Sequence, residues 1–204
     1  KVTGTLTFDG KTMKVSGVGY HDHNLESVPY GIVESGASNA GLLGDVGSNL
    51  FWSKLYAGDW TVNWVLNRAT RRGGYAPAKG TATSKVIVYK GNEIVAVTDN
   101  GYAIGSDTTI EGTGVERPRH VKVVFDEPGL IEGTMELNNV RCIEFMDLHS
   151  RFKPFQKWYT ETYIGHSAYF RHRFDYDANL TIIGQPVKHK GPFWMEHHKH
   201  GKGY

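Results

Sequence analysis

Two histidines flank an aspartate at His21-Asp22-His23, and Gly17 and Gly19 lead into them. On a strand, His21 and His23 point to one face and Asp22 to the other. An aspartate beside a histidine fixes its tautomer and raises its basicity, so the triplet could do acid–base work or orient a ligand. The same two histidines could supply half of a zinc site, with His149, His166 or His172 completing it. A third reading hydrogen-bonds both rings into a polar end of the fold. Glycine inside a strand marks a bulge or a close backbone approach, which would re-aim Tyr20 and the side chains after it. Residues Tyr20, His21, Asp22, His23 and Asn24 are therefore the first candidate site.

Other residue types carry chemistry elsewhere. Trp52, Tyr56, Trp60 and Trp64 lie on a hairpin and suit either a core or the wall of a pocket for a flat apolar ligand. In Tyr169-Phe170-Arg171-His172-Arg173-Phe174 the period of two puts His172 between two phenylalanines. If that face is inward, His172 is a polar residue in an apolar row and a candidate ligand contact. Arg171 and Arg173 then face solvent or pair with acids. Cys142, in a strand-like run, reads as an inert buried thiol. Asp59 reads as a turn residue. Met195-Glu196-His197-His198-Lys199-His200 reads as a solvated basic tail. The chain has no Walker loop, no Gly-x-Ser-x-Gly and no dinucleotide fingerprint.

The elements that would position these groups are strands. Thr5–Phe8 and Lys11–Gly17 flank Asp9-Gly10, a pair suited to a type I′ turn. Residues 50–56 and 60–66 form a second hairpin, and 85–90 and 93–98 a third around Gly91-Asn92. Residues 121–125, 130–137 and 140–148 read as three more strands, with turns at Glu127-Pro128-Gly129 and Asn138-Asn139. Residues 163–175 and 179–186 form the last hairpin. Residues 27–50 read as a long loop over one end, and 68–83 as another loop. No long amphipathic helix stands out. About ten strands in hairpin succession predict an all-β antiparallel fold, a meandering barrel or sandwich.

Composition narrows the function classes. The chain has 204 residues, enough for one large β-barrel domain, and 25 of them are glycine. The formal charge is +2, from 23 basic and 21 acidic side chains, so nucleic acid is not an expected partner. No apolar run approaches the roughly 20 residues of a spanning helix. One cysteine excludes an internal disulfide and makes a reducing, cytoplasmic compartment the simplest reading. No signal peptide is visible, and the start at Lys1 rather than Met points to a trimmed N-terminus.

The segment Gly17-Val18-Gly19-Tyr20-His21-Asp22-His23-Asn24 resembles the signature of the lipocalin-like superfamily of carotenoid 1,2-hydratases, AttH-type proteins and fungal Diels–Alderases. A Trp-rich hairpin follows in that group, here Phe51-Trp52-Ser53-Lys54 and Gly58-Asp59-Trp60-Thr61-Val62. Where members carry Trp-Gly after the asparagine, this chain has Leu25-Glu26. The resemblance implies a calycin-type barrel of eight to ten strands. It implies that 1–204 is one such domain, compatible with the second half of a two-domain architecture. The activity implied is that of a cofactor-free lyase, isomerase or cyclase on an apolar isoprenoid- or polyketide-like molecule. His23 matches the signature histidine and would polarise or protonate the substrate, oriented by Asp22 or Tyr20. His21, Asn24, Trp52, Tyr56, Trp60, Trp64 and His172 would contact it. No metal or organic cofactor is expected. A non-catalytic carrier of lipid or isoprenoid, and a histidine-liganded metal protein, remain the alternative readings. A missing N-terminal domain or a homo-oligomer is compatible with all three.

Overall fold

The computed structural model describes residues 2–17, 48–69, 82–112, 114–163 and 166–200. Eleven strands follow in order: β1 (Val2–Phe8), β2 (Lys11–Gly17), β3 (Ser48–Ala57), β4 (Trp60–Ala69), β5 (Ala82–Lys90) and β6 (Glu93–Thr98). Then come β7 (Gly101–Glu111), β8 (Val115–Glu127), β9 (Ile131–Asp147), β10 (Ser167–Ile182) and β11 (Gln185–His200). A 3-10 turn (His149–Arg151) and one helix, α1 (Pro154–Tyr163), join β9 to β10. The chain is all-β and antiparallel, as its hairpin succession predicts.

Nine strands form one sheet in the order β6-β5-β4-β3-β11-β10-β9-β8-β7, and every recorded pairing is antiparallel. Counting alternation outward from β3, the two edge strands β6 and β7 run in the same sense. Only Asp99 and Asn100 separate them, so they are two arms of one bent strand. The first arm serves β5 and the second serves β8, which makes the order a ring of eight strands. The corner is packed inward. A Cβ on Gly101 would lie 3.2 Å from Leu66 Cδ2 and 3.3 Å from Val86 Cγ2, and Ser84 Oγ donates to the Gly101 carbonyl at 2.5 Å. Thr98 Oγ1 and Asn100 Nδ2 both donate to Glu127 at the end of β8.

The ring has two unlike ends. Tight turns at Gly58-Asp59, Gly91-Asn92, Pro128-Gly129 and Ile183-Gly184 close one end. Ile183 and Gly184 both have positive φ, 48° and 71°, the hairpin geometry of a type I′ turn. At the other end β3 and β5 begin, β4 ends, and the α1 connection joins β9 to β10. The interior of the tight-turn half is apolar. Phe51, Leu55, Trp60, Val62, Trp64, Leu66, Val123, Phe125, Met135, Leu137, Phe174, Leu180 and Met195 are buried in one cluster. Strict alternation on β3, β4 and β10 puts these inward and their neighbours outward.

Three sequence expectations change. Asn138-Asn139 is not a turn: β9 runs through it, and Asn139 at φ 53° opposes a register shift against β10. That shift is a β-bulge, which needs a residue that tolerates positive φ as a turn does. The last hairpin does not turn near residue 176. β10 and β11 are each 16 residues long and pair from Ser167↔His200 to Ile182↔Gln185. Met195 to His200 is therefore not a solvated tail but half of a central strand.

The β1–β2 hairpin stands apart as a two-stranded sheet with the expected Asp9-Gly10 turn, both residues at positive φ. Register places Val2, Leu6, Phe8, Met13 and Val15 on one face, all of them exposed. Among the described residues no helix is long and apolar enough to cross a membrane.

Candidate functional site

Four buried polar residues, Asn49, His172, His197 and Lys199, gather at the long-connection end of the ring. Alternation along β10 buries Ala168, Phe170, His172 and Phe174, and alternation along β11 buries Met195, His197 and Lys199. Asn49 enters from β3, opposite Lys199 in register. His172 and His197 are 0 % exposed and Asn49 2 %.

These three side chains form one hydrogen-bonded chain. His197 Nε2 lies 3.0 Å from Asn49 Oδ1, and His172 Nε2 lies 3.3 Å from His197 Nδ1. An amide oxygen only accepts, so His197 donates from Nε2. With its hydrogen on Nε2, His197 accepts at Nδ1, and His172 donates from its own Nε2. His172 is left with a bare Nδ1 lone pair, a buried acceptor without a hydrogen-bond partner among the described residues. Burial pushes the His172 imidazole down to about 3, and the Arg117 guanidinium adds to the effect. The ring is neutral at physiological pH. Phe170 stacks on both imidazoles at 5.3 Å, and Phe51 stacks on His197 at 4.4 Å, which fixes both ring planes.

A primary amine completes this end. Lys199 is 3 % exposed, and its Nζ lies 4.0 Å from Glu116 Oε2 on β8. From β11 to β8 is three steps round the ring, about 14 Å of arc at about 4.8 Å per strand. The contact therefore crosses the mouth of the interior. Val115, Ala168 and Phe170 form an apolar shelf at the same end, with Phe145 and Cys142 packed on it. Burial pushes Lys199 down to about 8, against the pull of Glu116. Arg117 is held by Glu111 at 2.7 Å and donates to the Val140 carbonyl. Burial, followed by the Glu111 charge, raises the Cys142 thiol, whose Sγ donates to the Glu144 carbonyl. That thiol is suited to packing and not to attack.

A second cluster lies under α1. His149 and His166 rings are 4.5 Å apart, His166 Nε2 is 2.8 Å from Asp147 Oδ1, and His149 Nε2 is 3.2 Å from the Lys157 carbonyl oxygen. Among the described residues no group of three or more His, Cys, Asp or Glu side chains is placed to hold a metal ion.

The sequence candidates fall into three groups. Tyr20, His21, Asp22, His23 and Asn24 lie outside the described residues. The aromatic set does not form one wall. Trp60 and Trp64 point into the ring, while Trp52 and Tyr56 lie on its outer face against Trp194 and Phe193. The reason is parity: residues 52 and 56 on β3 alternate with the inward Phe51, Ser53 and Leu55. His172 lies on the inward apolar face as its neighbours predict. Asn49, His197 and Lys199 were missed, although the alternation of Met195, His197 and Lys199 is visible in the sequence.

Compared with models of known protein families, the chain matches none, and no curated protein matches it in sequence. The lipocalin-like resemblance rests on the residues that carry it.

Proposed function

We propose that the protein binds an apolar isoprenoid- or polyketide-like small molecule at the long-connection end of its ring. Such a ligand would carry a hydroxyl that donates to His172 Nδ1. The observation behind this reading is that bare Nδ1, buried on a ring that Phe170 and His197 hold in place. An unfilled buried acceptor costs about 1–3 kcal/mol, and a ligand hydroxyl recovers that amount. The ring of eight antiparallel strands and the resemblance at Gly17–Asn24 support the same class of ligand.

Equilibrium binding of geraniol and of myrcene, a hydrocarbon of similar size without the hydroxyl, tests this. Geraniol should bind about tenfold to a hundredfold more tightly. His172→Phe should erase the difference. Equal affinity of the wild-type protein for both compounds, or no binding of either, overturns the reading.

The chain Asn49–His197–His172 favours a second reading, a cofactor-free lyase, isomerase or cyclase at the same site. An imidazole lowered to about 3 is a weak base at neutral pH. Under this reading it acts by orienting and polarising, which a cyclisation or isomerisation uses and a proton abstraction does not.

A further inference from the structure

A buried lysine amine is a chemical resource that hydrogen-bonded orientation of a hydroxyl does not use. Lys199 shares the inward face of β11 with Met195 and His197, and its Nζ is carried across the mouth to Glu116. Glu116 keeps half of its side chain exposed. Among the described residues, other ionisable groups at this end include Arg117, tied to Glu111, the neutral His172, and His197. Ala168 lies opposite Lys199 in register and clusters with Val115 and Phe170.

We infer that Lys199 is an imine-forming residue, whose amine condenses with the carbonyl of an apolar aldehyde or ketone held at the mouth of the ring, with Glu116 as counter-ion. The step balances within the two reactants. The Nζ lone pair adds to the carbonyl carbon, and the carbon–oxygen π pair moves to oxygen. The oxygen then leaves as water, taking the two protons that nitrogen gives up, and the C=N bond forms. Protonation from solvent yields an iminium beside the Glu116 carboxylate. Lysine suits this role where burial frees its lone pair. At neutral pH a lysine lowered to about 8 holds roughly three hundredfold more neutral amine than one at the ordinary 10.5.

This inference rests on the proposed binding of apolar small molecules at the same end, so the test separates the two. Wild-type protein is incubated with geranial and sodium cyanoborohydride, digested, and each lysine's alkylation is read by mass spectrometry. Geraniol binding is measured on the same preparation. Modification at Lys199 should exceed that at the exposed Lys188 and Lys190 by about tenfold or more. Lys199→Arg should lose that adduct and leave the other sites unchanged. The comparison among lysines of the wild-type protein stands even where the variant fails to fold. Geraniol binding with Lys199 modified no more than Lys188 overturns the imine and leaves the binding reading intact. Absence of both geraniol binding and Lys199 modification overturns both.

Discussion

His172 Nε2 and His197 Nδ1 lie 3.3 Å apart inside the ring, on paired strands that carry both rings at 0 % exposure. Two imidazoles so placed share one hydrogen, and Asn49 decides which ring gives it. Because Asn49 accepts from His197, the donors run in one direction and end at the free His172 Nδ1. One asparagine on β3 thus sets the hydrogen-bonding character of a histidine two strands away.

The folded protein should lose stability as pH falls because of His172. Its ordinary value is 6.5 and its folded value about 3, so between these limits the unfolded chain binds the extra proton. The contribution is complete above 6.5 and is lost as pH falls toward about 3. Between pH 7 and pH 4.5 the loss from this one group is roughly 2–3 kcal/mol. Urea unfolding of wild type and His172→Phe at the two pH values measures it. The variant should show a correspondingly smaller loss, and NMR of the wild type should find His172 as the neutral Nε2–H tautomer at pH 5. An equal loss in both proteins contradicts the assignment.

Glycine positions separate sharply in what they tolerate. Gly133 has φ +122°, and a Cβ there would collide with the Asn179 carbonyl oxygen and the Leu180 backbone on β10. Both neighbours are backbone in a long ladder and have no rotamer to change. Gly58 has φ +63° with open space around it. Gly133→Ala should cost about 3 kcal/mol or more, and Gly58→Ala about 1 kcal/mol. Thermal unfolding of the two variants, read together, checks the close approach of β9 to β10.

The class of fold is legible in the sequence because short-range rules govern it. Asp9-Gly10, Gly91-Asn92 and the alternation of Trp60, Val62 and Trp64 each report one turn or one face. The site was only half legible. His172 was found because Phe170 and Phe174 mark its face. His197 and Lys199 were not, because four cationic or histidine residues in Met195–His200 outweigh the period of two when composition is weighed first. What buries them is a partner: β10 is 16 residues long and needs a strand of equal length beside it. Asn49 joins His197 across a separation of 148 residues, which no local pattern encodes. The corner at Asp99-Asn100 is likewise set by which strands its two arms meet.

The Trp-rich hairpin gives the sharpest check on which faces are inside. Trp64 is fully buried, and its indole N–H has no hydrogen-bond partner among the described residues. Trp52, three residues along β3 from Asn49, packs on the outer face, edge-on to Trp194 with Lys54 over its ring. Truncating Trp64 opens a cavity in a packed core, so Trp64→Ala should cost about 3–5 kcal/mol. Trp64→Phe keeps most of the volume and removes the unpaired donor, so it should cost clearly less. Trp52→Ala removes an outer contact worth roughly 1–2 kcal/mol. Equilibrium unfolding of the three variants orders them as Trp64→Ala, then Trp64→Phe and Trp52→Ala. If Trp52→Ala proved the most costly, the register of β3 would be off by one residue, and Asn49 would leave the interior with it.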